Sequence, residues 1–560
     1  VLGISRELNA TPRHIKKPES TSITLDFLHK VLSCIDNNRA ANYDDWWKIG
    51  QALYNIDWNK GFFAFIEFSK KCSSKFDLEG CKNIWRLFER NYINNKYQFN
   101  IKYLKELAFL DNKKEFIKIS ELISLEILTG IINVFKQPIY KERIGDSTLS
   151  KEIKKIIDNE SHINFVSIEN GQWYYYENHK WIVDTEGNKI KMYLKDKILL
   201  IFKKFYTNCR ENIKSTKNEI TKITSFETTQ QHNPISSMDD LLNSDTAELS
   251  QNISTLEKGR KTVQELKLNQ SDLEDSIDIA KNLVIYLENS TKRTTLVKEL
   301  ATEFYDPDFY KLLDSNPNVF HCNNGIFDFE TCTFRDGVPD DMISISSKNN
   351  YITDELRFSD PEYQKYDAEL NDFLDKLFPT PEMKEYMMNI WALSLSGKTY
   401  IQTFNVCTGS GSNGKSVNFE LLSEVFGDYY CVASPALLTK SRSDANSASP
   451  AVAVLLGKRI VCSEEPDEGE SIKTGVMKEA VSGTQLSCRE LHKPQKTFTP
   501  QYMLFFNCND KPEIGSTDEG TWRRIRVSPY VSKFCDYNDV RLDNPTKYKN
   551  HYVKDYSIKT

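Results

Sequence analysis

The chain has 560 residues, too many for one hydrophobic core, and three or four domains are expected. A 39% hydrophobic and 27% charged content suits a water-soluble protein, and no apolar run approaches the ~18 residues of a membrane span, so no membrane partner is expected. A formal net charge of −6 excludes an evenly basic nucleic-acid surface, and any such contact must come from a local basic patch. Twelve cysteines without a C-x-x-C pair argue against a disulfide framework or a zinc site, and for reduced thiols in the cytosol or nucleus.

Residues 1–20 read as a polar tether with a small basic cluster at Arg13, Lys16 and Lys17, and nothing in them resembles a secretory signal. Residues 21–112 read as a helical domain. Leu25, Leu28, Val31, Leu32 and Ile35 share one helical face, and Trp46, Ile49, Leu53 and Ile56 share another. Trp46, Trp47, Trp58 and Trp85 have the spacing of core residues, although aromatic rings also stack on nucleic-acid bases. Residues 120–355 read as a mixed α+β domain. FVSI, QWYYYE and KWIV between Phe165 and Val183 predict three short antiparallel strands, and Lys191–Cys209 predicts a helix. The polar stretch 225–251 reads as a linker or long loop, with helix again over Leu273–Leu287. VFHCNNGIFDFETCTF, from Val319, predicts a hairpin turning at Asn323–Gly325. Residues 356–560 read as the last domain, opening with strong helix over Asp360–Ser396.

That domain carries GSGSNGKS, which fits G-x-x-x-x-G-K-[ST]. Tyr400–Cys407 predicts the preceding strand and Val417–Phe426 the following helix, so backbone N–H groups of Gly409, Ser410, Gly411, Ser412, Asn413 and Gly414 would cradle a polyphosphate at a helix N-terminus. Lys415 would reach the β- and γ-phosphates of ATP, and the Ser416 hydroxyl would bind Mg²⁺. The acidic strand end that such a loop requires is LLGKRIVCSEE, where one of Glu464 and Glu465 would hold Mg²⁺ and the other orient the attacking water. Either carboxylate fits either task, and Glu464 is taken as the metal ligand. The apolar run Tyr502–Phe506 ends in Asn507-Cys508-Asn509, and Asn509 is the candidate sensor of the γ-phosphate. Between these strands His492, Lys493 and Lys496 are expected at a hairpin tip that contacts DNA; the bland alternative is a solvated turn. GTWRRIR supplies Arg523 and Arg524, with Arg524 slightly ahead, as an arginine delivered to a neighbouring subunit; structural ion pairing is the alternative.

The ordered set GSGSNGKS, GKRIVCSEEP, VMKEAVSGTQLSCREL, LFFNCNDKP and WRRIRV resembles the superfamily 3 helicases of the poxvirus-type helicase–primase family of large DNA viruses. The resemblance implies an AAA+-like α/β phosphate-loop ATPase core, with Lys478, Gly483 and Arg489 as the lysine, glycine and arginine between acidic strand and hairpin. Thr484 stands where the family often has an acidic residue. VFHCNNGIFDFETCTF is similar to the element preceding the helicase in this family, and 24–108 to the helical domain C-terminal to viral primases. The resemblance further implies a Mg²⁺–ATP-driven DNA helicase that forms a ring, in all expectation a hexamer, moves 3′ to 5′ on a strand in its central channel, and works in viral or mobile-element replication. It also implies a primase domain or subunit N-terminal to this chain, and a location in the host cytoplasm (a viral factory) or nucleus. The chain opens on Val1 and has 34 residues after Arg526, which reads as a piece cut at both ends. A duplex translocase or packaging motor, and a non-hydrolytic ATP-binding scaffold, are the alternatives.

Overall fold

The structure is a computed structural model. It describes residues 23–95, 99–140, 144–159, 164–231, 246–398, 401–440, 450–465, 471–488, 496–512, 514–515 and 518–556. The chain divides into two compact units: Val1–Tyr175 with Val183–Asp306, and Tyr176–Ile182 with Pro307–Thr560.

The first unit opens with helices started by side-chain caps. Thr24 Oγ1 accepts from Phe27 N at 3.2 Å ahead of Leu25–Ser33, and Asn42, Asn100 and Asn112 cap Tyr43–Ile56, Ile101–Asp111 and Lys113–Phe135 in the same way. Leu28, Val31, Leu32, Ile35, Ile49, Leu53 and Ile56 are buried together, as their spacing predicts. Trp46, Trp47 and Trp85 pack against this core, whereas Trp58 is exposed and is corrected. Trp85 stacks on Phe65 at 5.6 Å, Trp47 meets Phe88 and Phe99 edge-on, and Trp46 Nε1 donates to Ser69 Oγ at 2.8 Å.

The predicted short strands are present as β1 (Phe165–Ser167), β2 (Trp173–Glu177) and β3 (Lys180–Asp184), a three-stranded sheet in that order. Asn178 and His179 both take positive φ in the β2–β3 turn, as a tight hairpin requires. The expected loop at 225–251 is corrected in part. Helix Leu199–Gln231 runs through its first residues and helix Thr246–Glu288 through its last; 232–245 lie outside the described residues. Ion pairs Lys203–Glu288 (2.7 Å) and Lys217–Glu274 (3.3 Å) fix the two long helices antiparallel. The polar composition of 225–251 hid them, whereas Phe202, Phe205 and Cys209 of one helix and Ala280, Leu283 and Leu287 of the other share one buried cluster nearer their other ends.

In the second unit β4 (Val319–Cys322), β5 (Gly325–Asp328) and β6 (Thr333–Arg335) form an antiparallel sheet, with Cys322 paired to Gly325 across the predicted turn. Helices Pro361–Leu377 and Pro381–Leu395 follow, each begun by proline, which loses no helical hydrogen bond there. The principal sheet comprises β7 (Phe404–Thr408), β8 (Tyr430–Ala433), β9 (Ile460–Glu464), β12 (Met503–Asn507) and β13 (Ile525–Pro529), with the hairpin β10 (Leu486–Cys488) and β11 (Lys496–Phe498) between β9 and β12. Its order is β13-β7-β12-β9-β8, all parallel. Both faces are covered, as a parallel sheet requires. Cys407, Met503 and Phe505 point to one core, and Phe404, Val406, Leu504 and Phe506 to the other.

The helix after β7, Lys415–Phe426, ends at Gly427, whose φ of 51° and ψ of −122° disfavour any side chain. A Cβ there would also stand 2.6 Å from the Ser347 carbonyl carbon. Gly427→Ala is expected to destabilise this unit by about 3 kcal/mol, read as a lower chemical-denaturation midpoint for the second unit.

Candidate nucleotide site

The predicted strand–loop–helix is present, with β7 beginning at Phe404 rather than Tyr400. The loop's backbone explains its composition. Gly409 and Gly414 have φ of 147° and 81°, and Ser412 also adopts a left-handed conformation at 64°. A Cβ on Gly409 would lie 2.6 Å from the Tyr530 carbonyl oxygen, and one on Gly414 would lie 2.6 Å from Leu377 Cδ1. Asn413 props the loop from inside: it is buried, its Oδ1 accepts from Lys415 N at 3.2 Å, and its Nδ2 has no partner. Lys415 Nζ donates to the carbonyls of Gly409 (3.2 Å) and Cys508. Ser410, Gly411 and Ser416 are exposed at the loop's surface.

Three strand tips meet at one level. Asn507 is in register with Cys407 of β7 on one side and Glu464 of β9 on the other. Past the strand ends, Asn509 N donates to Glu465 Oε2 at 3.2 Å, and Gly409 N donates to Asn509 O at 3.1 Å. The backbone of Asn509 therefore links the acidic strand end to the loop. Glu464, Glu465 and Asn509 are all exposed, and an open cleft of about 650 Å³ runs between the loop, Asn509 and the segment after β13. The carboxyl end of a parallel sheet, where connections diverge to either side, is where such folds take ligands. Below the tips, burial pushes Cys462 up to about 12, Cys508 up to about 11 and Cys407 higher still, so these thiols are neutral packing groups near pH 7. All twelve cysteines are free.

Arg523 and Arg524 lie elsewhere. They precede β13, whose first residue pairs with Phe404, whereas the loop follows Thr408 at the strand's other end, about 13 Å along it. Arg524 Nη2 and Arg523 Nη2 donate to Gln402 Oε1 at 3.1 and 3.4 Å, and Arg523 is exposed. At the same end Lys478 pairs with Asp518, holding its carboxyl down at about 2, and Gly483 takes a φ of 72°.

The expected basic hairpin has its stem in β10–β11, with Cys488 opposite Lys496; Arg489, His492 and Lys493 lie outside the described residues. Lys496 is corrected. It is buried at 5% exposure, its Nζ donates to Leu313 O at 2.9 Å, and its charge lies 4.7 Å from the Tyr310 ring. An ammonium held so is a structural group and not a cationic tip.

Sequence reasoning passed over Asn507, whose Nδ2 donates to Cys462 Sγ at 3.1 Å beside Glu464, and Gln402, which holds both arginines. Asn507 stands in the same NCN run as Asn509 and was legible as a strand-tip amide; Gln402 carries no motif signal. Among the described residues no group of three or more His, Cys, Asp or Glu is gathered for a metal, and no helix is long and apolar enough to cross a membrane.

This is a multidomain α/β protein with a helical amino-terminal region. Residues 28–97 match the primase C terminal 2 (PriCT-2) family, 153–391 the D5 N terminal like family, and 407–524 a family of unknown function (DUF5906). It is 32% identical over 543 residues to "Putative helicase L207/L206" of Acanthamoeba polyphaga mimivirus, covering 96% of this chain and 49% of that protein. It is 26% identical to "Putative helicase 121R" of Invertebrate iridescent virus 3, covering 90% of this chain and 50% of that one. "Putative primase C962R" of African swine fever virus is 24% identical over 276 residues, covering 48% of this chain and 28% of the relative. The chain belongs to the D5-type helicase–primase family of large DNA viruses. It spans about half the length of the first two relatives.

Proposed function

We propose that this chain is the ATP-driven motor part of a ring-forming superfamily 3 DNA helicase, with an AAA+-like core, acting in viral genome replication beside a primase. The observation that carries the reading is the convergence of three parallel strand tips: the loop after β7, Asn507–Asn509 after β12, and Glu464–Glu465 after β9. A phosphate cradle, an acidic pair and a polar amide at one level are the parts that nucleoside triphosphate hydrolysis requires. Lys415 would meet the terminal phosphates. Glu465, already tied to the Asn509 backbone, is positioned to orient water, which leaves Glu464 with the Ser416 hydroxyl for Mg²⁺. That all-oxygen donor set suits Mg²⁺, which takes one or two carboxylates and completes its shell with phosphate and water; when bound it would neutralise phosphate charge.

The hexameric ring and the single strand in its channel belong to the same proposal. The arginines support a ring because they stand at the far end of the sheet from their own loop, where a catalytic arginine could serve only a neighbour's site. DNA contact is assigned to His492 and Lys493, in the stretch of chain that joins β10 to β11. The test is steady-state phosphate release by the whole chain with Mg²⁺–ATP, with and without single-stranded DNA, together with its oligomeric state. Turnover that rises severalfold with DNA, from a ring-sized species, is the expected result. No turnover under either condition would reduce the loop to a binding element.

A further inference from the structure

We propose that Lys533, which lies outside every motif, is a second cationic ligand for the nucleotide's phosphates, acting on the loop of its own subunit. The proposal rests on the nucleotide reading of Gly409–Ser416. Beyond β13 the chain returns across the loop as β14 (Lys533–Cys535), which pairs in parallel with β15 (His551–Val553). This return is pinned at alternate residues. Tyr530 N donates to Thr408 O at 2.8 Å, and the buried Ser532 hydroxyl donates to Lys376 O at 2.6 Å. Phe534 N donates to Ser412 O at 2.8 Å, while its ring lies 2.9 Å from where a Gly414 Cβ would stand. Between two such anchors Lys533 is not an ordinary surface lysine. Its backbone is fixed against the loop, and its Nζ donates to the carbonyl of Gly411.

The arrangement parallels that of Lys415, whose Nζ donates to the carbonyls of Gly409 and Cys508. Both ammonium groups therefore rest on neutral carbonyls of the same loop, and Lys533 lines the open cleft with Thr408, Gly409, Ser410, Asn509 and His551. A phosphate oxygen is a stronger acceptor for a lysine than a carbonyl, so a polyphosphate in the cleft would draw both. Of the other cations lining the cleft, Lys511 is an exposed lysine on the Asn509 side, and Arg541 of the returning segment is differently engaged. Arg541 is paired through Nε and Nη2 with Asp539, which neutralises it. Lys533 is thus the cation from this segment with a charge to offer the nucleotide.

The test is titration of fluorescent N-methylanthraniloyl-ATP with Mg²⁺ into the wild-type chain and into the Lys415→Ala, Lys533→Met, Lys533→Gln and Lys533→Arg variants, with thermal unfolding of each. Glutamine can still donate to the Gly411 carbonyl, so it separates charge from tethering. Lys533→Met and Lys533→Gln should each raise Kd by roughly ten- to a hundredfold at an unchanged unfolding midpoint, and Lys533→Arg by less than about threefold. Wild-type affinity in Lys533→Met, or in Lys533→Gln alone, overturns the proposal, the latter by making the lysine a tether. A wild-type chain that does not bind, or a Lys415→Ala variant that binds like it, would instead overturn the nucleotide reading, and this proposal with it.

Discussion

Replacing Lys415 by alanine is expected to lower ATP turnover by at least about 10²–10³-fold while leaving the protein folded. The side chain is half-buried at the first position of helix Lys415–Phe426, where alanine is an excellent helix former. Its loss removes donors from the Gly409 and Cys508 carbonyls, a cost of about 1 kcal/mol at a partly exposed site. It opens no apolar core, because the side chain is only half-buried and its amine rests on backbone carbonyls rather than among apolar groups. The catalytic cost is of another order. In the proposed site the ammonium would be the loop's own cation for the phosphates whose charge rises in the transition state, and charge stabilisation is most of what a protein contributes to phosphoryl transfer. Phosphate release and thermal unfolding, measured on the same preparation, separate the two effects. Substantial turnover in the folded variant would remove the ATPase assignment.

Much of the candidate site was legible because its chemistry is local in sequence. Gly409–Ser416 needs its glycines and its lysine at fixed offsets, and Ile460–Glu464 announces a buried strand with an acidic end. The faces of the first helices were legible for the same reason, since Leu28, Val31 and Leu32 keep a helical period. What sequence missed is non-local. Lys496 reads as a solvated cation among polar neighbours, yet its amine is committed to Leu313, 183 residues away. The helices over 225–231 and 246–251 have loop-like composition, and the helix pair is held in register by ion pairs such as Lys217–Glu274. Lys533 had no periodicity or motif to mark it, and gains a role only because Tyr530, Ser532 and Phe534 fasten its strand across the loop. Gln402 is similar: its interest lies in two arginines more than a hundred residues later.

A mixture of two inactive variants is expected to regain activity. One variant carries Lys415→Ala and keeps its arginines; the other carries Arg523→Ala with Arg524→Ala and keeps its loop. Each alone should be severely impaired, the arginine variant by roughly 10³–10⁵-fold if the residue stabilises charge in the transition state. The reason to expect rescue is geometric. Arg523 and Arg524 stand at the amino-terminal end of β13 and the loop at the carboxyl-terminal end of β7, about 13 Å apart along paired strands. Within one subunit they lie toward opposite ends of the sheet; in the proposed ring the arginines of one subunit would meet the loop of the next. In a randomly mixed ring at equal amounts, an interface is complete when its loop comes from the arginine variant and its arginine from the lysine variant. That occurs at about one interface in four, so turnover near a quarter of wild type is expected if the sites act independently. Repeating the mixture with Arg523→Ala or Arg524→Ala alone identifies which side chain crosses. The exposure of Arg523 and the tighter hold of Gln402 on Arg524 mean that the latter must let go of its partner to do so. Activity no higher than that of the parents at every ratio, with mixed oligomers verified, would return both arginines to a structural role around Gln402 and remove the argument for a ring.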